Sequence, residues 1–100
     1  MAVAFVQEFP ISGDDRSTTN YDALHEHVMA SGAPAGLIAH TAGFDEDAGV
    51  FRIFDVWESQ AHAQRFLDEK VMPFVQPALD AGSPPPARHA FYDLHSVVPS

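Results

Sequence analysis

The run Val50 to Trp57 constrains the fold of this chain more than any other. In an extended strand Phe51, Ile53, Asp55 and Trp57 point to one side and Val50, Arg52, Phe54 and Val56 to the other, so both faces carry large apolar groups. An antiparallel sheet with one solvated face alternates apolar with polar residues, so each face of this strand needs a cover. Helices of the same chain can cover one face. The simplest cover for the other is the same sheet of a second subunit, which predicts a homodimer enclosing a small apolar pocket.

The flanking segments supply the other elements. Ala2 to Phe9 is β-branched, aromatic or small and stops at Pro10 and the Ser12-Gly13-Asp14-Asp15 cluster, as a strand and its exit loop would. Thr19 and Asp22 have the spacing of a capping box. Tyr21, Leu24, His25 and Val28 then repeat at helical intervals, which predicts a helix from about Asn20 to Ala30 closed by Ser31-Gly32. Gly36 to Ala42 is short and apolar, and the acidic turn Gly43 to Gly49 leads into Val50 to Trp57, giving a β-hairpin with a longer loop than the two-residue type. Glu58-Ser59 offers an N-cap to a second helix with Ala63, Phe66, Leu67 and Val71 on its buried stripe, which Pro73 must end or kink. A short helical piece from Pro73 to Ala81, the stiff Ser83-Pro84-Pro85-Pro86 linker and a last strand from Arg88 to Val98 complete the chain. The order β-α-β-β-α-β is the ferredoxin-like plan. It is an α+β fold with a four-stranded antiparallel sheet and its helices on one face, and residues 1–100 form a single domain.

Composition narrows the partners. With 46% apolar residues the chain can bury a core. A formal charge of −9 with only five Lys and Arg lacks the basic footprint that nucleic acid or an anionic membrane surface requires. Cysteine is absent, which removes disulfides, thiolate nucleophiles and cysteine-ligated metal sites and fits a reducing compartment. The apolar N-terminus is too short for a membrane span and has no basic leader, so a cytoplasmic protein is the expectation.

Three stretches together resemble the dimeric α/β-barrel superfamily, which includes the antibiotic biosynthesis monooxygenases: Tyr21-Asp22-Ala23-Leu24-His25, Gly36-Leu37-Ile38-Ala39-His40, and Asp55-Val56-Trp57-Glu58-Ser59 running on to Phe66 and Pro73. The last is the most specific. The resemblance covers nearly the whole chain and implies a homodimer whose sheets pack face to face, with a pocket in each subunit between sheet and helices. It leaves the chemistry open, because the superfamily includes cofactor-free oxygenases of aromatic polyketides, haem-degrading enzymes and lactone isomerases. Of the residues on which the haem-degrading branch relies, only Trp57 is matched.

Candidate chemistry centres on histidine, whose ordinary pKa allows proton transfer near neutrality. Of the six histidines, His40 lies mid-strand in an apolar run, where its ring needs a partner or a ligand. Asp55 should neighbour it across the hairpin and could orient it as a general base, although a hairpin bulge would reverse the facing. A core histidine and a strand-end carboxylate paired with Arg52 or Arg65 are the competing structural readings. Trp57, with Phe66 of the following helix, could wall a pocket for a flat ligand or simply anchor the core. Tyr21 and His25 lie on the inward stripe of the first helix, and His95 alternates with Phe91 and Asp93 in the last strand. Tyr21 or His95 could donate to a developing oxyanion. No metal-ligand spacing, phosphate loop or dinucleotide fingerprint occurs, and the acidic Asp14-Asp15 and Asp45-Glu46-Asp47 clusters read as solvated loops.

The expectation is a cofactor-independent enzyme of small-molecule metabolism, and the family resemblance implies secondary metabolism. It would abstract a proton from a flat apolar, aromatic or polyketide-like substrate, with oxygenation, cyclisation or rearrangement to follow. A non-catalytic dimeric small-molecule-binding protein is the alternative. An open cavity with His40 and Asp55 in hydrogen-bond reach would favour catalysis, and a closed core would leave a dimeric binding or interaction module.

Overall fold

The sheet is built around its first strand. A computed structural model describes residues 2–83 and 85–99, so Pro84 of the proline linker lies outside the described residues. Strand β1 (Val3–Pro10) pairs antiparallel with β3 (Val50–Trp57) on one side and β4 (Arg88–Asp93) on the other, and β2 (Leu37–Asp45) pairs antiparallel with β3, giving the order β2-β3-β1-β4. Helix α1 (Thr19–Met29) connects β1 to β2. Helix α2 (Gln60–Phe66), a π-helical turn (Leu67–Val71) and α3 (Met72–Asp80) connect β3 to β4. This is the expected ferredoxin-like α+β plan.

Several boundaries differ from the sequence reading, each for a local reason. The last strand ends at Asp93, short of Val98, because Asp93 lies opposite Val3 and the antiparallel partner runs out there; the Leu94 N–H still reaches the Ala2 carbonyl at 2.9 Å. His95 therefore follows the strand and does not alternate within it. Strand β2 runs on to Asp45, leaving four turn residues from Glu46 to Gly49, and Arg52 ties this end together by donating to Asp45 and Glu8 at 2.6 Å each. The N-cap of α1 is Thr18. Its hydroxyl donates to the Asp22 carboxylate at 2.9 Å and accepts from no backbone N–H of the helix, so the Thr19–Asp22 capping box does not form. Before Pro73 the helix widens into the π turn and then continues, with Pro73 in the first turn of α3 where a missing N–H costs least.

The core lies between the inner sheet face and the α2–π segment. Val3, Phe5, Trp57, Ala63 and Leu67 are buried together, with Leu37, Phe66, Val71 and Phe91 packed around them. Helix α1 contributes no buried residue, because its inward stripe faces a cavity.

The start of α2 is held close to the loop before β2. The Ser59 hydroxyl accepts from the His62 N–H at 3.2 Å, and the Glu58 N–H donates to the Gly36 carbonyl at 2.8 Å. Gly36 has φ of 85°, and a Cβ there would collide with the His62 side chain. Gly36→Ala is therefore expected to lower the unfolding free energy by about 2–4 kcal/mol, combining left-handed backbone strain with overpacking. Urea unfolding measures it, and adding His62→Ala should recover only part of the steric cost, because the Cβ at position 62 would still stand 2.7 Å from the new group.

Candidate functional site

Antiparallel pairing of β2 and β3 sets His40 opposite Asp55. The one irregularity in this ladder falls between Leu37 and Ala39, ahead of His40, so the two side chains share the inner face. His40 Nδ1 lies 2.5 Å from Asp55 Oδ1. Asp55 is 5% exposed, the only polar residue in the buried set among the described residues, whereas the His40 side chain is 28% exposed. Tyr21, in the first turn of α1, brings its hydroxyl to 2.5 Å from His40 Nε2. The result is a continuous chain Asp55–His40–Tyr21.

The chemistry of the partners orders the protons. An ionised Asp55 only accepts, so His40 Nδ1–H donates to it. Nε2 then accepts the Tyr21 proton when the ring is neutral and donates to the phenol oxygen when it is charged. The hydrogen bond to Asp55 holds the His40 pKa above its ordinary 6.5, partial burial works against this, and the Asp55 charge adds to the rise. Burial first, then the charges of Asp55 and Asp22, push the Tyr21 phenol up from its ordinary value, so it is protonated at neutral pH. His25, one turn after Tyr21, is exposed and lies with its ring centroid 5.7 Å from that of Tyr21 and 5.6 Å from that of His40.

This chain borders a cavity of about 300 Å³ between the sheet and α1. Tyr21, His25, His40, Asp55 and Gln7 form its polar part; Leu24, Val28, Trp57, Phe66 and Val71 are among the apolar walls, and no Lys or Arg lines it. Trp57 is 1% exposed and packs on Phe66 at 5.1 Å between ring centroids, so it is both core anchor and cavity wall. Its Nε1–H is buried with no hydrogen-bond partner among the described residues, an arrangement whose usual penalty of about 1–3 kcal/mol a bound acceptor would relieve.

Six of the seven residues singled out from the sequence thus line one cavity; His95, beyond the end of β4, does not. Gln7 was not singled out, although a polar residue between Phe5 and Phe9 on the inner face of β1 is a readable signal. The acidic turn residues are engaged elsewhere: Glu46 accepts from Arg16 at 2.7 Å and Asp45 from Arg52. No group of three or more His, Cys, Asp or Glu side chains among the described residues could hold a metal ion. No helix among them is long and apolar enough to cross a membrane.

No protein-family model and no curated protein matches the chain. Solved structures do. SnoaB, a cofactor-independent oxygenase from Streptomyces nogalater, superposes with a TM-score of 0.63 at 18% identity, covering 99% of this chain and 98% of that one. Rv0793 from Mycobacterium tuberculosis matches with a TM-score of 0.63 at 15% identity over 97% and 96% of the two chains. A candidate antibiotic biosynthesis monooxygenase from Chloroflexus aurantiacus matches with a TM-score of 0.59 at 19% identity, again over 97% and 96%. At such identities the likeness is one of fold, and the chain has the ferredoxin-like α+β fold that these structures share.

Proposed function

We propose that this protein is a cofactor-independent enzyme that abstracts a proton from a flat, largely apolar substrate, aromatic or polyketide-like, as the first step of oxygenation, cyclisation or rearrangement. The observation that carries the reading is the His40 ring, held between a buried carboxylate and a phenol at the polar part of an otherwise apolar cavity. Neutral His40 accepts the proton, and Asp55 fixes its tautomer and stabilises the imidazolium that forms. The carbanion or enolate left behind then adds dissolved oxygen or attacks a carbonyl of its own molecule. The fold likeness to SnoaB supports a reaction of this kind. A cavity without Lys or Arg suits an uncharged substrate. The reading includes a second copy of the chain on the outer sheet face, where Phe54, Val56 and Tyr92 lie. The unpartnered Trp57 N–H would equally serve a non-catalytic binding protein, which turnover separates from an enzyme.

A screen of uncharged polycyclic phenols and ketones, followed by oxygen uptake and product mass, tests the proposal. At least one compound should be converted, at a rate that rises with pH through a midpoint above 6.5, because only neutral His40 accepts a proton and its pKa is raised. Asp55→Asn should slow the reaction and move that midpoint down, since burial then acts on His40 without the carboxylate. Conversion unaffected by Asp55→Asn would count against the assignment.

A further inference from the structure

His40 Nε2 faces the Tyr21 hydroxyl as its hydrogen-bond partner. The phenol oxygen already sits at hydrogen-bond distance from that nitrogen, and Tyr21 itself lines the cavity. With Nδ1–H committed to Asp55, one proton decides how the Tyr21 hydroxyl faces inward. We propose that Tyr21 is the group that touches the ligand, its hydroxyl turning a lone pair to the cavity when His40 is neutral and a proton when His40 is charged. The ligand class that fits both states bears one oxygen that is a hydroxyl in one form and a carbonyl in the other, a phenol or enol and its ketone.

This rests on the proton-abstraction reading and makes it a relay. A ligand hydroxyl passes its proton to the Tyr21 oxygen as the Tyr21 proton moves to His40 Nε2. The ligand O–H and the original Tyr21 O–H break, while a new Tyr21 O–H and an Nε2–H form. The electron pair stays on the ligand oxygen as phenolate or enolate, and the positive charge rests on His40 beside Asp55. Tyr21 is neutral before and after, which agrees with a phenol whose pKa lies above its ordinary value.

The groups that could interfere are few. Helix α1 supplies Tyr21, His25 and, toward its start, Asp22; β3 supplies Asp55; β1 supplies the uncharged Gln7; and the π turn presents only Leu67 and Val71. His25 is thus the one other histidine among the described residues that line the cavity, and it is exposed.

Calorimetric titration with α-tetralone, which can only accept a hydrogen bond, and α-naphthol, whose hydroxyl can turn either way, tests the inference from about pH 5.5 to about pH 8.5. The affinity for α-tetralone should fall on the order of tenfold across the titration of His40, while that for α-naphthol stays within about twofold. Tyr21→Phe should bind both probes with a ratio independent of pH, whereas His25→Gln, whatever it does to either affinity, should keep the pH dependence of that ratio. A constant ratio in the wild type, a response that survives Tyr21→Phe or vanishes in His25→Gln, or failure of both probes to bind would overturn the inference. Because only binding is measured, failure of the enzymatic reading alone would show as the wild-type response without conversion of any compound.

Discussion

Replacing His40 by asparagine is expected to lower turnover by about 10²–10⁴-fold, the usual contribution of a positioned general base, while the protein stays folded. Asparagine places an amide N–H close to where Nδ1–H now meets Asp55, so the buried carboxylate keeps a donor. What it removes is the basic nitrogen facing Tyr21. His40→Ala separates the two roles, because it also strands Asp55 in the interior and should cost on the order of 1–3 kcal/mol of stability. Thermal unfolding beside initial rates distinguishes them: loss of rate without loss of stability in the asparagine variant marks His40 as a working group. Parallel loss of both in that variant would mark it as structural.

Trp57→Ala should lower the unfolding free energy by about 3–5 kcal/mol, the range for truncating a large buried aromatic side chain, a sizeable share of a total expected near 5–15 kcal/mol. Trp57 packs with Val3, Phe5, Ala63 and Leu67 and against Phe66, so its removal opens a void shared by the sheet, α2 and the π turn. Trp57→Phe should cost far less, below about 1.5 kcal/mol, because it retains an aromatic ring and removes a buried N–H that has no partner among the described residues. Chemical denaturation of both variants measures the difference. The phenylalanine variant should also bind a carbonyl ligand more weakly, if that N–H serves the ligand.

What could be read from the sequence followed local periodicity. The strand Val50 to Trp57 was recognisable because a two-residue period with apolar groups on both faces admits few other interpretations, and its inward set of Phe51, Ile53, Asp55 and Trp57 includes three residues that line the cavity. The approach of His40 to Asp55 followed from their being on adjacent strands of one hairpin. Its certainty did not, because one bulge reverses a strand's facing, and whether Ile38 or a residue after His40 carries it depends on packing around the bend. The bond from Tyr21 to His40 was hidden, since the helical stripe tells which face of α1 turns inward but not where along the sheet it docks. The end of β4 was overestimated because apolar character continues to Val98, whereas a strand lasts only as long as its partner, and here the partner begins at Val3. The π turn carries no composition of its own. Gln7 was passed over because a lone polar residue in an apolar strand is as often a solvent-facing one, and only the register with Ile53 turns it to the cavity.

The central claim, proton abstraction by His40 in this cavity, is met most directly by deuterium incorporation next to the carbonyl of flat, enolisable ketones in heavy water, followed by proton magnetic resonance. This needs no knowledge of the natural substrate. The account predicts that the wild-type protein exchanges the α-protons of at least one such ketone faster than buffer does, and that the acceleration disappears in the folded His40→Asn variant. Exchange at the buffer rate for every ketone that binds, or an acceleration that persists without His40, would contradict it.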